Sequence, residues 1–230
     1  QALGSAVLDA EGRLAPNGAA AQALRDRLLF HPDSLKEPLP VLAGHVEQLC
    51  KTLADPAQSA AFQATLDRVR APSAGTAAGL VRRTAMTGAG APAAGDAKAA
   101  VLGAMMTPLT QGAVGSCFAT CACMEVQERR PLELMGDLCQ IAQGGTLAKG
   151  GLDAVPAVVN IPDGENPLLR SWEYSVATLG ARAAHSAMKT GVENDTNAGL
   201  VQVDTAARGL LQRMDAAIAR AAADWDVKCL

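Results

Sequence analysis

The chain has 230 residues, 48 of them alanine and only six aromatic, with 20 basic against 23 acidic side chains for a net charge of −3. Alanine heads the helix scale and packs poorly in sheets, which excludes an all-β sandwich, and the apolar content is too high for a disordered chain. Interspersed charges of both signs argue against a nucleic-acid surface, and no apolar run reaches the ~18–20 residues of a membrane span.

No signal peptide opens the sequence, and Gln1 reads as the start of a fragment or processed chain. The first fifteen residues read as a loosely anchored arm. Asn17 then caps a helix predicted to run to about Phe30, with Leu24, Leu28 and Leu29 on one face and His31-Pro32 as the stop. Pro38 and Pro40 suit the first turn of a second helix, striped by Val41, Leu42, Val46, Leu49 and Leu53. Asp55-Pro56 is an N-cap followed by proline at the first helical position, opening a third helix with Phe62, Leu66 and Val69. Residues 1–70 therefore read as a helical N-terminal unit. In residues 71–100, 23 of 30 are Ala, Gly, Pro, Ser or Thr, a linker composition with room for one short helix around Leu80, Val81 and Met86.

Residues 101–230 carry the chemistry. The loop Gln111-Gly-Ala-Val-Gly-Ser116 leads into a helix predicted from Cys117 to Glu128, and a further helix follows Pro131 and ends near Gly144-Gly145. Val155–Val159 reads as a short edge strand. Asn166-Pro167 opens a helix to about Lys189, Asp204 caps a last one to about Ala223, and Trp225–Leu230 reads as extended.

A cysteine at a helix N-terminus feels the positive end of the macrodipole and unsatisfied amide donors, and both favour the nucleophilic thiolate. Gly112 and Gly115 allow a sharp backbone turn, and Gln111 can fold back to donate its side-chain amide. With the Cys117 N–H, that amide forms an oxyanion hole. The bland alternative makes Cys117 a small buried residue after a turn.

The stretch resembles the papain-like cysteine peptidases, whose signature Q-G-x-x-G-S-C-W-A opens a long helix shortly after a Thr-Pro pair. Here Thr107-Pro108 precedes Gln111, and Phe118 stands at the aromatic position. The resemblance implies Cys117 as nucleophile, Gln111 as oxyanion donor and a peptide or protein substrate. It extends weakly through Glu125–Cys139, where Glu133–Cys139 is similar to the family's E-L-x-D-C stretch, and it implies a substrate-lining role for Gly144 and Gly145. Val114 stands where secreted members carry a disulfide cysteine, so Cys139 lacks that partner.

The general base is the open question. His31 and His45 lie in the N-terminal unit and read as surface or packing residues, whereas His185 is the possible base, although it falls in a helical stretch. The simplest placement of the base is in sequence following Leu230; the alternative is a chain that has lost its base and only binds.

The remaining motifs have plainer readings. Cysteines 50, 117, 121, 123, 139 and 229 offer only one C-x-C, with no second pair and no nearby histidine, so no metal site and no cofactor is read from them. Reduced thiols in a reducing compartment are expected, with disulfides as the alternative. Cys121, one turn from Cys117, reads as packing beneath it. Trp172 and Tyr174, two apart on one helix, are expected to face opposite ways, and Trp172 is a candidate substrate contact. Residues 1–70 read either as an inhibitory pro-segment or as an ordinary helical subdomain.

The expected architecture is thus mainly α (α+β), a helical N-terminal unit joined to the helical half of a papain-like domain. The expected function is acyl transfer or hydrolysis at peptide or isopeptide bonds. The alternatives are a non-catalytic helical interaction domain and an acyltransferase or deamidase using the same thiol.

Overall fold

The computed structural model describes residues 3–30, 39–110, 117–150, 152–153 and 165–179, with backbone alone for residues 17, 117–119 and 152–153. The expected strand at 155–159, the helical stretch beyond residue 179, the helix from Asp204 and the terminal segment lie outside the described residues.

Among the described residues the fold is mainly α. A 3-10 turn at Leu3–Val7 and another at Pro16–Gly18 precede α1 (Ala19–Leu29) and α2 (Leu39–Ala54). Gly18, in the left-handed region at φ 70°, takes the N-cap position expected for Asn17. Then follow α3 (Pro56–Asp67), α4 (Gly75–Ala85), α5 (Ala94–Met106), α6 (Cys117–Arg129) and α7 (Pro131–Gly144). A minimal hairpin pairs β1 (Ala148–Lys149) with β2 (Leu152–Asp153), antiparallel, and helix α8 covers 167–179.

Several boundaries follow from local chemistry. The Asp55 carboxylate accepts from the Ala57 and Gln58 amides at 2.9 and 3.3 Å, and Pro56 supplies the first helical position where an N–H has no partner anyway. Pro131 likewise takes the first helical position of α7, there without a side-chain cap. Gly145 ends it in the left-handed conformation at φ 77°, its N–H bonded to the Ile141 carbonyl at 2.8 Å.

The stretch 71–100 departs from its linker composition. It contains all of α4 and the first half of α5, with Ala77, Leu80, Val81, Ala85, Ala97, Ala99 and Ala100 buried. Small side chains suit a flexible linker, but they equally let helices approach closely, and packing selects the second outcome. The connection from α3 is tied down as well: the Arg70 amide donates to Gln143 Oε1 at 3.0 Å and the Ser73 amide to the Gln143 carbonyl at 2.8 Å.

Helix α5 is the hub. From Ala99 to Met106 every residue is buried, the pattern of a helix surrounded by protein. The Leu3–Val7 turn, α4 and α7 all pack against it. The Leu3–Val7 turn crosses so closely that a Cβ placed on Gly4 would lie 1.7 Å from the Ala99 carbonyl oxygen. Side chains from the N-terminal helices (Leu24, Val46, Phe62, Leu66) and from α5, α7 and α8 (Met106, Leu138, Trp172) form one hydrophobic cluster, so the N-terminal unit shares its core with the rest.

Candidate functional site

Helix α6 begins at Cys117, the residue singled out in the sequence, and the chain entering from α5 is held by buried polar groups. Thr107 ends α5 and returns its hydroxyl to the Gly103 carbonyl at 2.8 Å. Gln127, near the end of α6 and 5% exposed, spans the next residues: its Oε1 accepts from the Leu109 amide at 3.3 Å, and its Nε2 donates to the Thr107 carbonyl at 2.7 Å. Asn166 reaches the Thr107 hydroxyl at 3.3 Å and also caps α8, its Oδ1 accepting from the Leu169 amide at 3.0 Å. Asn166 therefore opens α8, as the Asn166-Pro167 pair in the sequence leads one to expect.

Helix α8 contributes a charge that few cores contain. Arg170, 3% exposed, donates through Nη2 to the Thr110 carbonyl at 2.8 Å, pairs through Nε with Glu165 at 2.5 Å, and pairs through Nη1 with Glu173. The other oxygen of Glu173 accepts from the Thr120 hydroxyl on α6, and Glu173 has no exposed surface. The guanidinium lies 5.7 Å from the centre of the Tyr174 ring. Burial opposes the charge on Arg170, but the two carboxylates outweigh it and hold the group protonated. Removing one partner from such a buried pair costs about 3–5 kcal/mol, because a charge is left behind without compensation.

A second polar cluster adjoins the first. Trp172 donates its indole N–H to Asp137 Oδ2 at 2.9 Å, and the Lys149 ammonium bridges Asp137 at 2.7 Å and Glu133 at 2.8 Å. Trp172, offered in the sequence as a substrate contact, is completely buried within the hydrophobic cluster. Tyr174 is buried too, at 2% exposed, so the expectation that one of the two rings points outward does not hold. Rings on opposite faces of one helix are both buried when protein packs on both faces.

The glycine pair is split: Gly144 is exposed, while Gly145 is buried against the start of α4, where a Cβ would lie 3.4 Å from the Ala77 amide nitrogen. The cysteines are also rearranged. Cys121 is exposed and Cys123 is buried, the reverse of a Cys121 packed inward. Burial pushes both Cys123 and Cys139 up to about 12, far from the reactive range. Cys50, Cys121, Cys123 and Cys139 are free thiols. Gln111 and His185 lie outside the described residues.

His45, half-buried on α2, lies in an open cleft of about 480 Å³ between α2 and the α6–α7 corner, lined in part by Val41, Gln48, Glu128 and Pro131. Glu128 is eleven positions along α6 from Cys117, roughly 16 Å at 1.5 Å per residue. His45 therefore sits toward the far end of that helix and is not a partner for the Cys117 thiol. Among the described residues no group of three or more His, Cys, Asp or Glu side chains could hold a metal ion. No described helix is long and apolar enough to cross a membrane.

Comparison with known protein families, with curated proteins and with solved structures finds no match to this chain.

Proposed function

We propose that this protein is a thiol-dependent acyl-transfer enzyme of the papain-like kind, hydrolysing peptide or isopeptide bonds with Cys117 as nucleophile. The observation that supports the reading is that α6 begins at Cys117, directly after the Gln111–Ser116 motif. That position gives the thiolate the positive end of a thirteen-residue helix and its unsatisfied amides.

In the proposed reaction the Cys117 sulfur attacks the carbonyl carbon, forming a C–S bond and an oxyanion. The Gln111 side-chain amide and the Cys117 N–H hold the oxyanion. Collapse breaks the C–N bond and expels the amine with a proton from a general acid; water then cleaves the thioester and regenerates the thiol. His185 is the residue of this sequence offered as acid–base partner.

The test is iodoacetamide labelling of each cysteine in the full chain as a function of pH, read by mass spectrometry. Cys117 should react at pH 6, well below the ordinary thiol pKa of ~8.5, and faster than the exposed Cys121. Labelling of Cys117 at or below the Cys121 rate across that range sinks the enzyme reading. The cleft beside His45, remote from Cys117, favours one second reading, a non-catalytic helical interaction domain. Under that reading Cys117→Ala leaves partner binding intact, whereas the first reading requires the same change to abolish turnover.

A further inference from the structure

We propose that Arg170 and Glu173 are positioning residues for Cys117, a buried bridge that ties the chain before residues 111–116 to the first turn of the helix after them. The inference rests on the acyl-transfer reading and deepens it, because it names side chains that fix the backbone on either side of the motif.

The bridge is continuous. On one side Arg170 Nη2 holds the Thr110 carbonyl at 2.8 Å. On the other, the Thr120 hydroxyl, three residues past Cys117, donates to Glu173, and Glu173 pairs with Arg170 through its second oxygen. Both ends belong to the backbone or first turn that brackets the motif, and both charged residues come from a third element, α8.

Two features argue for a positioning role over simple stability. An apolar pair of similar volume generally stabilises a core as well as a buried ion pair does, so stability alone gives little reason for charge here. An apolar pair also cannot hold a carbonyl at a set distance. The guanidinium is further locked because its Nε is taken by Glu165 at 2.5 Å, so each nitrogen of the planar fork has its own acceptor. Catalytic geometry demands that kind of fixity, since small displacements of a nucleophile lose rate steeply.

Thr120→Val tests the bridge with little change in volume, removing the hydroxyl and keeping the branched shape; Thr120→Ser keeps the donor. Arg170→Lys keeps the charge and loses the fork. Two measurements on the full chain are needed: hydrogen exchange of the amides of residues 121–124, which close the first turn of α6, and the pH profile of Cys117 alkylation by iodoacetamide. Thr120→Val and Arg170→Lys should each speed that exchange and slow that alkylation by about tenfold, with a shifted midpoint, while Thr120→Ser stays near the parent. Leu66→Ala, a core change on α3, should lower thermal stability and leave the alkylation profile alone. The proposal is overturned if Thr120→Val leaves exchange and alkylation unchanged, or if Leu66→Ala reproduces the same profile. If Cys117 of the parent titrates as an ordinary thiol, the acyl-transfer reading falls, and exchange at 121–124 decides the bridge by itself.

Discussion

Trp172 Nε1 donates to Asp137 Oδ2 at 2.9 Å, and neither residue is more than 3% exposed. The bond joins α8 to α7 across 35 positions of sequence, and Lys149 of the hairpin completes it at 2.7 Å. Burial holds the Asp137 carboxyl above its ordinary value, and the hydrogen bonds from Lys149 and Trp172 offset only part of that rise.

Trp172→Phe keeps most of the ring's buried area and deletes the donor. Urea unfolding should show a loss of roughly 1–3 kcal/mol, the range for leaving a buried acceptor without a bond it makes in the parent. A loss within about 0.5 kcal/mol, the scatter of neutral surface changes, would mean that Lys149 alone satisfies Asp137.

The half-buried His45 gives the fold an acid-sensitive element. Desolvation lowers its pKa below 6.5, with Glu128 opposing the shift. A histidine depressed in the folded state binds its proton more readily when unfolded. Its contribution is therefore complete above about pH 6.5 and is lost as pH falls through the folded value. Melting temperature measured between pH 7.5 and pH 5 should fall less in His45→Gln than in the parent. Parallel curves for the two proteins would remove His45 from the account.

The thiols should separate cleanly under native labelling. Of Cys50, Cys121, Cys123 and Cys139, exposed Cys121 reacts first. Cys50 follows, half-buried and with its thiol held up chiefly by desolvation. Cys123 and Cys139, pushed up to about 12 by burial, become accessible only as the core opens. Mass-spectrometric mapping at pH 8 with and without urea checks this order; modification of Cys139 in native buffer as fast as Cys121 contradicts it.

Met86 closes α4 in the left-handed region at φ 55°, with its side chain 71% exposed. That conformation costs a side-chain-bearing residue about 1–2 kcal/mol, and glycine's extra unfolded-state entropy returns about 0.4–1 kcal/mol of any gain. Met86→Gly should therefore stabilise the protein by roughly 0.5–1 kcal/mol in thermal or urea unfolding. Destabilisation would show that the exposed methionine makes a contact worth more than the strain.

The elements legible in the sequence are those whose causes lie within one helical turn. Asp55-Pro56 starts α3, Pro131 starts α7, Gly145 ends it and Cys117 begins α6, because capping and backbone conformation need only near neighbours. Gln111 and Cys117 are proposed from a local motif, and Gln111 lies outside the described residues. The long-range contacts on either side of that motif are not legible in the sequence. Gln127 finds the 107–109 backbone about twenty positions upstream, and Arg170 reaches Thr110 across 60. Arg170 and Glu173, three apart on a helix, carry only the spacing of an ordinary surface pair.

The same division governs the places where sequence and fold part. Composition determined a mainly helical chain, since 48 alanines favour helix whatever surrounds them. Whether the Ala/Gly-rich 71–100 stretch hangs free or packs was decided by tertiary neighbours, α4 packing on α5 and α7 and α5 on α7. Whether Cys121 or Cys123 points inward, and whether Trp172 and Tyr174 are both buried, was decided by the neighbours of α6 and α8. Sequence sets which residues share a helix face; only tertiary packing sets how many of a helix's faces lose water, and α8 loses nearly all of its own.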